Sequence, residues 1–182
     1  SLSMKSSPAP LSDCWLLTPH VHADSRGQFI ESFQKSCFAE QTGVYVDFVQ
    51  DNEVVSNQGV VRGLHLQKEP HGQAKLIRVV QGNIYDVAVD LRSDSPTYGE
   101  WFGVELSADN RTQLFLPKGF AHGYSVLSDR ALVQYKVDSF YNPQSEIGIR
   151  YDDPELDINW QVKNPALSQK DLKLPFLKNF KL

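Results

Sequence analysis

The sequence predicts an all-β protein, an antiparallel barrel or jelly roll with one or two short helices. Eleven glycines and ten prolines are spread along the 182 residues, and short runs rich in β-branched and aromatic side chains lie between them. Short runs bounded by such breakers are typical of antiparallel strands rather than of alternating strands and helices. The apolar fraction of 41% is ordinary for a globular protein, so the chain can bury a core of normal size.

The clearest pair of strands is a hairpin that turns at Gly82. We predict strands at Lys75–Val80 and Asn83–Leu91, because glycine permits the positive φ that a tight hairpin turn requires. Side chains alternate between the two faces of a strand. One face of the second strand carries Tyr85, Val87, Val89 and Leu91, and the other carries Ile84, Asp86, Ala88 and Asp90. We therefore expect one packed face, and a second face with the acids that is wet or lines a site.

Further strands are predicted between the remaining breakers. They are Phe29–Phe33, Val44–Val54, Gly59–Gln67, Trp101–Leu106, Gln113–Leu116, His122–Leu127 and Ala131–Phe140. The best helix candidate is Ser36–Thr42, which Ser36 would cap and Gly43 would end, and a second short helix is expected near Ser168–Leu172. We expect residues 1–10 to be a disordered N-terminal segment and residues 11–182 to form a single domain.

Charge and hydropathy argue against nucleic-acid and membrane partners. The net charge is −4, from 18 basic and 22 acidic residues, and no block of like charge stands out. No apolar run approaches the ~20 residues that span a bilayer, and the first ten residues do not resemble a signal peptide.

Cys14 and Cys37 form no CxxC pair, which favours two reduced thiols in a cytoplasmic protein.

One apolar strand carries two polar side chains of interest, Arg62 and His65. By the two-residue period of a strand, His65 shares a face with Val61 and Gln67, whereas Arg62 points to the other face. The two side chains therefore reach one pocket only if the strand is bulged, or if Arg62 reaches a neighbouring chain. Taken alone, His65 is more simply interpreted as a core or surface histidine.

Three further side chains interrupt apolar strands: Lys75, His122 and Tyr135. Each has an ordinary interpretation, as a solvated lysine, a strand-end histidine or a core aromatic ring whose hydroxyl is hydrogen bonded. Together with His65 they would instead converge on a barrel lumen, which is a frequent ligand site.

The motifs of metal, phosphate-loop and serine-nucleophile sites are missing. Barrel proteins that bind iron often carry two histidines one residue apart on a strand, but Gln67 and Tyr124 stand two places after His65 and His122. The sequence has no GxxxxGK[ST], GxGxxG or GxSxG motif. The sequence thus predicts a site without a metal.

A series of segments resembles the dTDP-4-dehydrorhamnose 3,5-epimerases, enzymes of the deoxysugar pathway to dTDP-L-rhamnose. One such motif would be weak, but the whole series in family order is a specific signal. The matching segments are Asp24–Glu31, Gln50–Asn52, Val61–Gln67, Asp86–Arg92, Ser95–Gly99, Pro117–Gly123, Tyr135–Lys136, Tyr141–Glu146 and Ser168–Asp171. The resemblance implies a cupin-type jelly roll, usually a homodimer, with no metal and no organic cofactor.

The resemblance also implies roles for individual residues. His65 matches the family's catalytic base, with Asp171 as its carboxylate partner, and Tyr135 matches the acid on the opposite face of the sugar ring. Lys75 matches the cation near the C4 oxygen, and His122 lies beside the sugar and the diphosphate. The other substrate-binding positions are Arg26, Glu31, Gln50, Asn52, Arg62, Glu146 and Lys170 for the nucleotide and diphosphate, and Phe29 and Tyr141 for the thymine. In the family, some binding residues come from the partner subunit.

These roles fit epimerisation at C3 and C5 of dTDP-4-dehydro-6-deoxy-D-glucose to dTDP-4-dehydro-L-rhamnose. A 4-keto group acidifies the C3 and C5 hydrogens, so an imidazole base forms an enolate and a phenol protonates it from the opposite face. A 3-only or 5-only epimerase and a 3,4-ketoisomerase of the same barrel type are alternatives. A non-catalytic sugar-nucleotide-binding barrel and a metal-dependent cupin oxygenase are alternatives of other classes.

Overall fold

Two antiparallel sheets contain most of the chain in a computed structural model, which describes residues 4–182. The elements are β1 Met4–Pro8, β2 Trp15–Pro19, β3 Val21–Asp24, β4 Gly27–Ile30, α1 Lys35–Thr42, β5 Gln50–Asn57, β6 Val61–Gln67, β7 Lys75–Gln81, β8 Asn83–Asp90, β9 Trp101–Ser107, β10 Gln113–Leu116, β11 Phe120–Val126, β12 Arg130–Val137 and β13 Glu146–Gly148. The six-stranded sheet has the order β1-β2-β10-β7-β12-β5, and the five-stranded sheet has the order β13-β6-β11-β8-β9. β3 and β4 form a separate hairpin. The all-β antiparallel prediction is confirmed.

The two large sheets enclose an apolar core to which both contribute. Ile77 of β7 and Leu114 of β10 belong to one cluster with Ile84 and Ala88 of β8, and all four side chains are fully buried. Burying one such isoleucine or leucine contributes ~1.5–3 kcal/mol relative to leaving it exposed. The cluster therefore holds the two sheets against each other.

The predicted alternation of β8 is confirmed, but its acidic face is not wet. The face that carries Ile84 lines the core between the sheets, and the opposite face packs against the C-terminal segment. Asp86 and Asp90 are fully buried. Each acid is compensated by a hydrogen-bonding partner, Asp86 by the ring of His122 and Asp90 by the guanidinium of Arg92.

The N-terminal part of the chain departs most from the prediction. The expectation of disorder is wrong for residues 4–8, which form β1 because they pair in register with β2, from Met4↔Pro19 to Pro8↔Trp15. Residues 1–3 of the expected disordered segment lie outside the described part of the chain. The short strands β2, β3 and β13 are also absent from the prediction. That residues 11–182 form a single domain stays a prediction.

The prediction for helix α1 is confirmed at its end and wrong at its start. The helix ends at Gly43, whose φ is 73°. Its N-cap is Gln34 and not Ser36, because the Gln34 side chain accepts a backbone hydrogen bond in the first turn. The strand predicted at Val44–Val54 begins only at Gln50.

Within residues 4–182, no helix is long and apolar enough to cross a membrane.

A bulge in β6 resolves the question of which face Arg62 occupies. β6 pairs with β11 as His65↔His122 and as Arg62↔Tyr124, so β6 has one more residue than β11 between the two pairs. The extra residue turns Arg62 and His65 toward the same side of the sheet. Gly63 takes a φ of 115° in the bulge, a conformation that favours glycine.

The C-terminal segment packs on the outer face of the five-stranded sheet through Leu156 and Trp160. Within the segment, the buried carboxylate of Asp153 accepts three backbone hydrogen bonds, the last from Leu177. The short helix predicted near Ser168–Leu172 is a 3₁₀ turn over Asp171–Lys173. The turn places Asp171 beside β6, where it accepts a hydrogen bond from the Gly63 N–H.

Replacing Gly123 with alanine is expected to destabilise the fold by about 1–3 kcal/mol. Gly123 lies on β11 opposite the bulge, where an added Cβ would collide with the backbone carbonyl of Arg62 and press on Gly63. Thermal unfolding followed by circular dichroism measures the loss. An unchanged midpoint would show that the pairing of β6 and β11 does not depend on this close approach.

Candidate active site

A cavity of about 250 Å³ opens between the two sheets. β6 and β11 of the five-stranded sheet and β5, β7 and β12 of the six-stranded sheet contribute its walls. The lining residues that the sequence predicts are Arg62, His65, Lys75, His122, Tyr135, Glu146, Lys170 and Asp171. The lining residues outside that prediction are Val54, Gly123, Tyr124 and Ser168.

The ring of His65 and the carboxylate of Asp171 form a hydrogen-bonded pair in this cavity. Nε2 of His65 lies 2.6 Å from Oδ1 of Asp171, and Oδ2 accepts a hydrogen bond from the Gly63 N–H at 3.1 Å. Burial, the largest influence, raises the pKa of Asp171, but the hydrogen bonds from His65 and Gly63 outweigh it and the net pKa lies below the usual range. The ionised carboxylate therefore accepts the proton on Nε2, and a neutral ring keeps a lone pair on Nδ1.

A second histidine–carboxylate pair is buried in the same wall. Nε2 of His122 is 2.6 Å from Oδ1 of Asp86, and His122 stands directly opposite His65 in the sheet. Oδ2 of Asp86 has no hydrogen-bond partner within residues 4–182. In the same part of the chain, no three histidine, cysteine or carboxylate side chains gather in the geometry of a metal site.

Lys75 brings a buried ammonium group to the cavity from β7. The residue is 8% exposed, and burial lowers its pKa to about 8 against the opposing influence of the Glu146 and Asp86 carboxylates. Nζ lies 6.0 Å from the centroid of the Tyr135 ring. An ammonium group that lines a cavity in this way is placed to interact with an oxygen atom of a bound molecule.

Two phenols line the cavity, one on each sheet. Tyr135 lies on the wall opposite His65, because β12 belongs to the six-stranded sheet and β6 to the five-stranded sheet. Burial raises the pKa of Tyr135, with the Asn52 side chain acting in the opposite direction, so the phenol is protonated at neutral pH. Tyr124 is a lining residue that the motifs miss, and burial raises its pKa to about 12. Tyr124 stands two residues after His122 on β11, so the two side chains share a face. This spacing is the sequence signal that places Tyr124 in the cavity.

The mouth of the cavity is charged. Lys170 forms an ion pair with Glu146, and Nε of Arg62 donates a hydrogen bond to Oγ of Ser56 at 3.0 Å. This bond engages Nε of Arg62, an exposed lining residue whose two terminal nitrogens remain further donors. A guanidinium edge of this kind suits a phosphate group, to which it donates two parallel hydrogen bonds.

Three further predicted residues extend the wall that carries Tyr135. Nε2 of Gln50 donates a hydrogen bond to Oδ1 of Asn52 at 2.8 Å, and Oε1 of Gln50 accepts the backbone N–H of Tyr141 at 3.1 Å. Asn52 is the cross-strand neighbour of Tyr135. These polar groups therefore continue the site beyond the cavity itself.

The remaining predicted residues lie on or beside the hairpin of β3 and β4, away from the cavity. Arg26 pairs with Asp24 at 2.6 Å at the tip of the hairpin, Phe29 is 67% exposed on β4, and Glu31 follows β4. None of them is among the residues that line the cavity of the same chain. A single chain therefore does not bring these three residues to His65.

Comparison with known proteins identifies one family. The family model described as dTDP-4-dehydrorhamnose 3,5-epimerase matches residues 8–179. The dTDP-4-dehydrorhamnose 3,5-epimerase of Shigella flexneri is 51% identical over 160 residues, which are 88% of each chain. The protein of the same name from Escherichia coli (strain K12) is 48% identical over 165 residues, 90% of this chain and 89% of that one.

Solved structures agree with these relatives. The dTDP-4-dehydrorhamnose 3,5-epimerase of Bacillus anthracis superimposes with a TM-score of 0.92 at 50% identity, over 96% of this chain and 99% of that chain. The dTDP-6-deoxy-D-glucose-3,5-epimerase of Legionella pneumophila superimposes with a TM-score of 0.93 at 42% identity, over 98% and 95% of the two chains. The predicted cupin-type jelly roll is confirmed by these similarities. Because the family model matches nearly the whole chain and the relatives agree with it, the chain belongs to the dTDP-4-dehydrorhamnose 3,5-epimerase family.

Proposed function

We propose that this chain epimerises C3 and C5 of dTDP-4-dehydro-6-deoxy-D-glucose, giving dTDP-4-dehydro-L-rhamnose. The observation that carries the proposal is the placement of the His65–Asp171 pair and the Tyr135 phenol on opposite walls of one cavity, with the Lys75 ammonium between the sheets. The relatives are named for this activity, and the Legionella protein is described in complex with dTDP-4-keto-L-rhamnose. The reaction changes no oxidation state, so it balances without an external oxidant or reductant.

The first step removes a proton from a carbon next to the keto group. Nδ1 of His65 takes the proton from C3 or C5, the C–H electrons form an enolate, and negative charge develops on O4. The Asp171 carboxylate stabilises the imidazolium that forms. The ammonium of Lys75 stabilises the enolate oxygen, an effect of ~3–4 kcal/mol for one donor in other oxyanion sites.

The second step returns a proton from the opposite face. Tyr135 donates its phenolic proton to the enolate carbon, the carbonyl forms again, and the stereocentre is inverted. The raised pKa of Tyr135 keeps the phenol protonated until this step. Exchange with water then returns His65 and Tyr135 to their starting protonation states.

The groups at the mouth bind the nucleotide part of the substrate. Arg62 and Lys170 supply positive charge for the diphosphate, and His122, the cross-strand neighbour of His65, lies beside the sugar. The 53% exposed Tyr141 offers an aromatic face to the thymine. The hydrogen-bonding side chains assigned to the nucleotide in the same region are Gln50, Asn52 and Glu146.

The hairpin of β3 and β4 completes the site of a second copy in a homodimer. Arg26, Phe29 and Glu31 belong to the predicted binding set but lie away from the cavity of their own chain. Two copies related by a twofold axis present the same surface to each other, so each hairpin reaches the cavity of the other. We place this dimer in the cytoplasm, since Cys14 and Cys37 are buried free thiols.

Replacing His65 with alanine is expected to abolish exchange of the C3 and C5 hydrogens with deuterated water, because the base is removed. Tyr135→Phe is expected to retain part of the exchange but to impair inversion, because the base remains and the acid is lost. Proton NMR of dTDP-4-dehydro-6-deoxy-D-glucose in deuterated water measures both processes.

The matched control is His71→Ala, because His71 is a histidine that does not line the cavity. It is expected to exchange and invert like the wild type. Wild-type exchange in the His65 variant would overturn the proposal. A product inverted at one carbon alone would identify a 3-only or 5-only epimerase, and a moved keto group would identify a ketoisomerase.

The rate is expected to fall as the pH rises through about 8, the pKa to which burial lowers Lys75. Below this pH the ammonium stabilises the enolate oxygen, and above it the neutral amine does not. Tyr135, whose pKa is raised, stays protonated through the same range. The pH profile of kcat/KM reports the pKa in the free enzyme.

The control for this profile is Lys75→Arg, because a guanidinium keeps its charge throughout the range. This variant is expected to be slower, since its geometry differs, but to lose the descending limb near pH 8. If kcat/KM of the variant still falls near pH 8, the fall is due to the titration of a group other than Lys75.

Mixing two inactive variants is expected to restore activity if the site is shared. One chain carries His65→Ala, and the other carries Arg26→Ala with Phe29→Ala. Random exchange gives about a quarter of wild-type turnover, because half of the dimers are hybrids and each hybrid has one intact site of two. Turnover after refolding the mixture measures this. A mixture no more active than its components would show that each site is built from a single chain.

A further inference from the structure

We propose that Gln67 is a positioning residue for recognition of the nucleotide base and that it acts through Tyr141. Gln67 is buried on β6 and is not among the residues that line the cavity. Its side chain is therefore placed to act on a neighbouring loop rather than on the sugar. The inference rests on the proposed function, in which Tyr141 offers its ring to the thymine.

The side-chain amide of Gln67 joins two loops. Nε2 donates hydrogen bonds to the carbonyl oxygens of His71 at 2.7 Å and Phe140 at 3.2 Å, and Oε1 accepts the backbone N–H of Asn142 at 2.9 Å. Both hydrogens of the amide are thereby used. His71 lies in the connection between β6 and β7, whereas Phe140 and Asn142 flank Tyr141. The amide thus holds the chain directly before and directly after the aromatic residue.

Two more glutamines support the same stretch of chain. Nε2 of Gln73 donates a hydrogen bond to the carbonyl oxygen of Ser139 at 2.9 Å, and Oε1 of Gln50 accepts the backbone N–H of Tyr141 at 3.1 Å. Within the described residues 4–182, the backbone groups of residues 139–141 form no hydrogen bond with another backbone group. Side-chain amides therefore do for this loop what a ladder of backbone hydrogen bonds does for a strand.

Burial does not hold the aromatic rings of this loop, because Phe140 and Tyr141 are both exposed. A loop that has to be ordered when a ligand binds costs conformational entropy, and a loop that is already fixed avoids most of this cost. Gln67 supplies two of the four hydrogen bonds from glutamine side chains to residues 139–142. It is also the only one of the three glutamines that is buried. Gln67 therefore contributes most to the fixed position of Tyr141.

The hydrogen bonds of Gln67 are separate from those of the proposed base. His65 stands two residues earlier on β6, and its ring is held by Asp171, whereas the amide of Gln67 is held by loop backbone groups. Loss of the amide is therefore expected to weaken binding of the nucleotide and to leave the reaction of bound substrate unchanged.

Calorimetric titration with dTDP tests the proposal. Gln67→Met keeps the length of the side chain but removes its hydrogen bonds, and it should weaken dTDP binding ~5- to 150-fold, the range for loss of one base–aromatic stack. The matched control is Gln58→Met, because Gln58 also donates to a loop carbonyl, that of Leu127 at 2.9 Å, but lies beyond the opposite end of β5 from Gln50. The control should bind dTDP like the wild type.

A double-mutant cycle distinguishes positioning from a general loosening of the fold. Tyr141→Ala should weaken dTDP binding by itself, and adding Gln67→Met should cause little further loss, because the amide acts through that ring. If the two losses add, or if Gln67→Met binds dTDP like the wild type, the proposal is wrong. Should circular dichroism show that Gln67→Met is unfolded, Gln67→Asn takes its place in the cycle. Its amide is one methylene shorter and cannot make all three hydrogen bonds, so the same outcomes decide.

Kinetics separate failure of this inference from failure of the proposed function. In the Gln67 variant, KM for dTDP-4-dehydro-6-deoxy-D-glucose should rise, whereas kcat should stay near the wild-type value. A fall in kcat at unchanged KM would contradict the inference and assign Gln67 to the chemistry at His65. If the wild type binds dTDP but does not exchange the C3 and C5 hydrogens, the proposed function fails, and the double-mutant cycle still decides the role of Gln67. A wild type that does not bind dTDP would contradict both.

Discussion

The carboxylate of Asp171 is the contact on which the geometry of the cavity depends. One of its oxygens holds the ring of His65, and the other holds the N–H of Gly63 in the bulge that carries His65. Hydrogen bonds to a charged group are each worth ~1.5–3 kcal/mol. A single side chain thus orients the proposed base and supports the irregular stretch of β6 that turns Arg62 to the same side.

The buried ammonium of Lys75 is influenced by carboxylates at longer range rather than by a close ion pair within residues 4–182. The Glu146 and Asp86 carboxylates oppose the effect of burial on Lys75, whose pKa of about 8 keeps the ammonium form at neutral pH. Asp86 is in turn compensated by His122 at 2.6 Å. The positive charge of Lys75 therefore stays available to an oxygen atom bound in the cavity, and the burial of the ammonium strengthens such an electrostatic interaction.

The predictable part of the site consists of residues that interrupt apolar strands. His65, Lys75, His122 and Tyr135 stand out for that reason, and the cavity brings all four together. Asp171 is different, because it lies 106 residues from His65 in a 3₁₀ turn that has no periodic pattern. Family resemblance, and not local chemistry, points to it.

Register and pairing account for what strand periodicity alone does not predict. The alternation within β6 allows a bulge but does not say which residue is the extra one, since the register belongs to two strands and not to one. β1 forms because it pairs with β2, although its serines and proline disfavour a strand. The sequence does not distinguish Tyr124 from an ordinary buried aromatic residue of β11, and only the structure shows that it lines the cavity.

The C-terminal segment and the barrel core are held by separate sets of contacts. Leu156 and Trp160 pack the segment against the outside of the five-stranded sheet and Asp153 braces the segment internally, whereas the main core lies between the sheets. Segments held in this way open locally with a smaller free energy than the whole domain. Because Asp171 belongs to this segment, a local opening that draws it away from β6 breaks its hydrogen bonds to His65 and Gly63 while the core between the sheets stays closed.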